Sequence, residues 1–213
     1  GGPGAAQRGG AAPLKPGKVK HLDPDGSLAA NAEKIVSARL DELWSFVPAV
    51  LDPANVEELH EMRIAAKRLR YVLEVTAETC FGPYAVAAEK RIKRLQDLLG
   101  EIHDCDVQYP RVEELRRELE GEAAAQLRAM AQGSADLDPG LVGSLEPAAE
   151  ERGLVTLATY LRARRELLYD QFVAMWNDLE RDGLRARLKF ALSERPHAAS
   201  AAVPQPVGGG EGW

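Results

Sequence analysis

His60, Arg63, Lys67 and Arg70 recur at spacings of three, four and three in the stretch "LHEMRIAAKRLRY", residues 59–71. On a helix turning about 100° per residue, these four fall within an arc of roughly 80°. Leu59, Met62, Ala66, Leu69 and Leu73 occupy the adjoining arc, so the cations form a stripe beside an apolar face. Glu61 and Glu74 are expected to lie off the stripe. A second cluster follows in "EKRIKRLQDLLGEIHDCDV", residues 89–107. There Lys90, Lys93 and Arg94 share one face, opposite Ile92, Leu95, Leu99 and Ile102, and the basic face turns acidic at Asp97, Glu101 and Asp104. Like charges stacked this way repel by a few tenths of a kcal/mol per exposed pair. Arg offers a planar fork and Lys a mobile point charge, and both suit phosphate oxygens. A run of cations on one helix is ordinarily a solvated face; two runs on consecutive helices point to capture of an extended polyanion. Only Tyr71 and Tyr84 are near, which is little aromatic surface for stacking bases. A nucleic-acid-binding module is therefore possible but not favoured.

The elements that must carry these residues are helices. Ala and Leu are plentiful, 45% of the 213 residues are hydrophobic and 6% aromatic, which allows one domain with a sizeable core. The first helix opens on Ser27 as N-cap, with Ile35, Val36, Leu40, Leu43, Trp44 and Val47 at three-and-four spacing. Asp52–Pro53 starts the next, about 54–79, and "FGP" at 81–83 breaks it. A third helix is expected over about 84–108, and a fourth from Pro110 to "AQGSADLDPG". A short helix around 141–152, a long one around 154–181 and a last one over 184–193 complete the set. Short loops predict antiparallel neighbours, and no strand alternation appears, so the fold class is all-α, an antiparallel helical bundle. Residues 1–26 and 194–213 are rich in Gly, Ala and Pro and are expected to be disordered; residues 27–193 form the domain.

The net charge of −6 argues against indiscriminate adhesion to anionic surfaces, yet between Arg63 and Arg94 eight Lys or Arg stand against three Glu. The charge is segregated by region. No apolar run is long enough to cross a bilayer and nothing reads as a signal peptide. Cys80 and Cys105 form no C-x-x-C pair and are expected to be reduced fillers of a cytoplasmic protein.

The two segments together resemble the CHAD domain, the conserved histidine α-helical domain. Its first signature is H-x-x-R-x-x-x-[KR]-x-x-R, matched by His60, Arg63, Lys67 and Arg70. Its second is L-Q-x-x-L-G-x-x-[HN]-D-x-D-V, matched by Leu95, Gln96, Leu99, Gly100, His103, Asp104, Asp106 and Val107. The resemblance implies two pseudo-symmetric helical bundles around a basic groove, binding of inorganic polyphosphate and association with polyphosphate granules. It implies no enzymatic activity and no cofactor. Many relatives carry a fused triphosphate-tunnel domain marked by E-x-E-x-K, which is absent here. His60, Arg63, Lys67, Arg70, Lys90, Lys93 and Arg94 are the expected polyphosphate contacts. In the second half, Arg162, Arg165 and Tyr169 echo the spacing of His60, Arg63 and Lys67, and Arg185 and Lys189 could extend the groove.

His103 and Asp106 fall on the apolar side of their helix, where a His and a carboxylate usually satisfy one another or a neighbouring element; "HDCD" is read as mainly structural. Asp97 and Asp104, on the basic side, are expected to pair with Arg or Lys. The rival reading is a metal-dependent phosphohydrolase using His60, His103–Asp104 and Asp170 or Asp178, in which a metal activates water for attack at phosphorus. A cationic stripe beside His60 would repel such a metal.

Overall fold

The computed structural model describes residues 19–131, 133–144 and 149–194. The expected disordered ends therefore lie mostly outside the described residues. Five helices make up the fold: α1 (Leu28–Trp44), α2 (Val56–Thr76), α3 (Pro83–Met130), α4 (Ala149–Arg181) and α5 (Leu184–Ser193). No strand occurs among the described residues, and the all-α class holds.

Local chemistry sets the helix ends. Ser27 caps α1 by accepting from the Ala30 backbone N–H at 3.2 Å, satisfying one orphan donor of the first turn. Just ahead of it, Asn31 clasps the backbone of Asp23, donating to its carbonyl at 2.7 Å and accepting from its N–H at 2.9 Å. The end of α2 widens into a π-helical turn at Ala77–Phe81. Gly82 then turns the chain at φ 79° and ψ −167°, a region open essentially only to glycine, and Pro83 opens α3 at a position where its missing N–H is not needed. Gly183, in the left-handed helical region at φ 62° and ψ 35°, separates α4 from α5.

Two boundaries differ from those read in the sequence. The third and fourth helices are one, α3, running through Pro110. Proline removes one backbone bond and costs about 3 kcal/mol inside a helix. Packing against α4 continues on both sides of it: Tyr109, Glu113 and Arg116 face Val155, Ala158, Thr159 and Arg162 across a shared crevice. The two helices expected around residues 141–181 are a 3₁₀ turn at Pro139–Ser144 and a single α4 that passes through Gly153. Glu150 and Glu151 in its first turn oppose the positive end of the helix dipole.

The core is one cluster. Val36, Leu40 and Leu43 of α1 meet Met62, Leu69 and Leu73 of α2, Ile92, Leu95 and Leu99 of α3, Phe172, Trp176 and Leu179 of α4, and Leu184 and Leu188 of α5. Trp44 and Trp176 stack at 4.9 Å between ring centroids. In place of the two pseudo-symmetric bundles expected, the described residues bury a single core; Tyr109 and Val112 still pack against it, and from Glu113 to Met130 α3 continues with no buried side chain. The free thiols Cys80 and Cys105 are both buried, where they act as small apolar fillers.

Candidate anion-binding face

α2 and α3 run antiparallel, and three contacts fix their register. His60 Nδ1 and His103 Nδ1 are 3.1 Å apart. Gly100 lies under Arg63: a Cβ built there would meet only the Arg63 Nε, at 3.8 Å. Arg70 Nη1 donates to Gln96 Oε1 at 3.2 Å. Three of the four residues of the α2 stripe thus have a small or polar partner on α3, and the register puts Lys93 level with Arg70. Gly in a helix interior costs roughly 0.5–1 kcal/mol relative to Ala; at Gly100 the open surface lets the Arg63 side chain lie across α3.

The cations divide into two populations. Among the described residues, Arg63, Lys67, Lys90, Lys93 and Arg94 have no carboxylate within ion-pair distance. Lys67, Lys90, Lys93 and Arg94 are exposed. Elsewhere many cations are committed, although Lys20, Lys34, Arg111, Arg117, Arg128 and Arg187 also form no ion pair among the described residues. Arg68 pairs with Glu42 at 2.7 Å, Arg91 with Asp182 at 2.8 Å, and Arg164 with Glu101 at 2.5 Å. What sets the α2/α3 face apart is that five cations without ion pairs stand close together on two adjoining helices.

Arg70 sits between the two populations. Its Nη2 lies 3.3 Å from Glu74 Oε2, so Glu74 belongs to the stripe after all: four residues on, it returns to the same side of the helix. The Arg70 guanidinium also covers the Tyr71 ring at 5.1 Å, and the Lys67 ammonium lies 5.8 Å from the same ring. Tyr71, Gln96 and Gly100 were not assigned a role from sequence. Mid-helix glycine and an aromatic flanked by cations are the signals that point to them.

The second-half candidates are placed otherwise. Arg165 donates to Asp106 Oδ1 at 2.6 Å and to the Pro53 carbonyl at 2.8 Å, and this pair is largely buried, with side chains 18% and 11% exposed. It ties α4 to α3 and to the loop before α2. Lys189 and Arg185 both grip Asp41 of α1, at 2.6 and 2.7 Å. Arg165 and Lys189 thus each have a carboxylate partner on another helix and act as interhelical ties, unlike the unpaired cations of the α2/α3 face. Arg162 is 73% exposed, within 3.6 Å of Glu166, on the crevice between α3 and α4 rather than the α2/α3 face. Tyr169 is buried, donating to the Val50 carbonyl at 3.1 Å.

Asp106 is structural, as its apolar position suggested. His103 differs from expectation in its partner: it meets His60, the two rings lying 4.3 Å apart at 30°. Burial, followed by the positive neighbours His60 and Arg63, holds His103 below the ordinary imidazole range against the opposing pull of Asp104 and Asp106. Asp97 and Asp104 form no ion pair among the described residues. The metal-ligand order read in the sequence does not converge either. Among the described residues no three His, Cys, Asp or Glu side chains gather as a metal site, and Asp178 pairs with Arg181 at 2.7 Å. No helix among them is long and apolar enough to cross a membrane.

Comparison with curated proteins and with solved structures gives no match. The CHAD domain family model matches residues 11–113, a span that takes in α1, α2 and α3 as far as Glu113 and with them the whole unpaired cationic face. α4 and α5 lie beyond the match. Over these residues the chain is similar to the CHAD domain family.

Proposed function

We propose that the chain binds inorganic polyphosphate on the α2/α3 face and does so without catalysis. The observation that carries this reading is the set of five cations, Arg63, Lys67, Lys90, Lys93 and Arg94, left without carboxylate partners on two adjoining helices. The similarity of residues 11–113 to the CHAD domain family, which is associated with polyphosphate binding, supports it. The polymer is a linear string of phosphates, so each cation adds one modest charge-assisted contact and affinity grows by many such contacts made together. Arg63 and Arg70, set in place by Gly100 and Gln96, would grip phosphate oxygens at the inner edge of the face. The exposed Lys67, Lys90, Lys93 and Arg94 would follow the chain outward. Association with polyphosphate granules then follows from affinity for their polymer.

The test is a titration of metal-stripped protein with long-chain polyphosphate and, in parallel, with single-stranded DNA, at low and physiological salt. Polyphosphate binding tighter than DNA binding, independent of added metal, is the expected result. By analogy with single-stranded nucleic acid, log K should fall with log salt at about −0.7 per neutralised phosphate. Equal affinity for DNA would identify a general polyanion binder. Absence of binding to either would return the five cations to a solvated face.

A further inference from the structure

We propose that the His60–His103 pair couples polyanion binding to proton uptake, so that a phosphate chain on the α2/α3 face recruits one proton held jointly by the two rings. This rests on the reading of that face as polyphosphate-binding and adds to it how pH sets the affinity. The starting point is the 3.1 Å contact between two Nδ1 atoms. At that separation one ring must donate and the other accept. In the neutral pair this means opposite tautomers: one ring carries its hydrogen on Nδ1, the other on Nε2. One added proton fits without disturbing the contact. It goes to the free Nε2 of the donor ring, and the N–H···N bond becomes charge-assisted. A second proton would put hydrogens on both facing Nδ1 atoms and two cations in contact. The pair therefore stores one proton.

The charged groups around His103 pull in opposite directions. On α2, Arg63 opposes protonation; on α3, Asp104 and Asp106 favour it. Asp106 is already neutralised by Arg165 of α4, which leaves Asp104 as the carboxylate without an ion pair among the described residues. A polyanion lying along Arg63 and Lys67 offsets the repulsion from Arg63 and adds an attraction of its own. The imidazole pair in the complex then holds its proton to higher pH than in the free protein. The extra affinity is accordingly fully present below the titration of the free pair and lost as pH rises through that of the bound pair. A countercharge within ~4–6 Å raises an imidazole by about one to three units, and one unit corresponds to roughly tenfold in affinity.

The experiment is calorimetric titration of the full chain with long-chain polyphosphate, whose terminal groups are few, in buffers of different protonation enthalpy. Imidazole nitrogen shifts of the unaltered protein are recorded with and without polymer. The expected result is uptake of up to one proton, binding roughly tenfold tighter on the acid side of the pair's titration than on the alkaline side, and a shift to the imidazolium range confined to His60 and His103. The double variant His60→Gln, His103→Gln should lose the uptake, whereas His21→Gln should keep it. Binding of polyphosphate with no proton uptake and unchanged imidazole shifts would overturn the inference while leaving the function intact. So would uptake that persists in the double variant. Failure to bind at any pH would overturn the reading of the face and this inference with it.

Discussion

Reversing Lys67 and Lys93 together, Lys67→Glu with Lys93→Glu, tests whether the face and not the overall charge captures the polymer. Both side chains are exposed and neither has an ion pair among the described residues, so the fold loses nothing by the change. They sit on different helices, Lys93 level with Arg70 and Lys67 about one turn away. A polymer tracking the face meets both. Unit charges about 4 Å apart interact by roughly 1 kcal/mol when screened as in bulk water, the limit appropriate to exposed side chains. Turning attraction into repulsion therefore costs about 2 kcal/mol per site and about 4 kcal/mol for the pair, close to a thousandfold in Kd. The assay is titration with long-chain polyphosphate at low salt, with helicity followed by circular dichroism and expected unchanged. The control is Arg181→Glu with Arg187→Glu, which alters the net charge equally at the end of α4 and on α5. Arg181 gives up only an exposed pair with Asp178, worth at most about 1 kcal/mol, and this variant should bind within a few-fold of the original. Equal weakening by the two double variants would refute the argument, since affinity would then follow total charge.

Other expectations concern the frame. Leu69→Ala, at a fully buried position of α2, should lower unfolding free energy by about 2–5 kcal/mol in a denaturant titration. Asp106→Asn leaves Arg165 without its carboxylate in a mostly buried site; it should destabilise by about 2–3 kcal/mol, below the cost of breaking a fully buried pair, and change polyphosphate affinity little. Comparable loss of affinity and stability would return Arg165 to the binding face. Burial tends to raise the Asp41 pKa, but hydrogen bonds from Lys189 and Arg185 prevail and hold it below the ordinary aspartate range. Its contribution is thus present above pH 3.8 and lost as pH falls through the folded-state value. Asp41→Asn should consequently destabilise at neutral pH more than in acid, by a small amount because the group is half exposed. Equal loss at both pH values would contradict this.

Much of the fold was legible because its signals are local and repeated. The Ser27 cap, the apolar spacing of α1 and α2, and the Phe81–Pro83 break all depend on neighbours a few residues away. What failed depended on partners distant in sequence. Pro110 and Gly153 read as boundaries by local rules, yet α3 and α4 pass through them because each supplies a long packing surface to the other. The stripe from His60 to Arg70 was visible from helical spacing alone. Whether a given cation is available was not, since that depends on where a carboxylate falls in three dimensions. Arg165 and Lys189 look like Lys67 and Lys93 in the sequence; Asp106 and Asp41 make them different. The pairing of His103 with His60 was hidden for the same reason, as it needs the register of α2 against α3.

The unbroken course of α3 through Pro110 has a mechanical meaning. From Lys93 to Met130 the helix climbs about 55 Å at 1.5 Å per residue, with α4 laid alongside as a brace over its middle. The cations therefore occupy one portion of a rod whose far portion lies well clear of them. On the proposed reading, a body attached near Met130 would be held at a set distance from a polymer bound on the cationic portion, as on a strut.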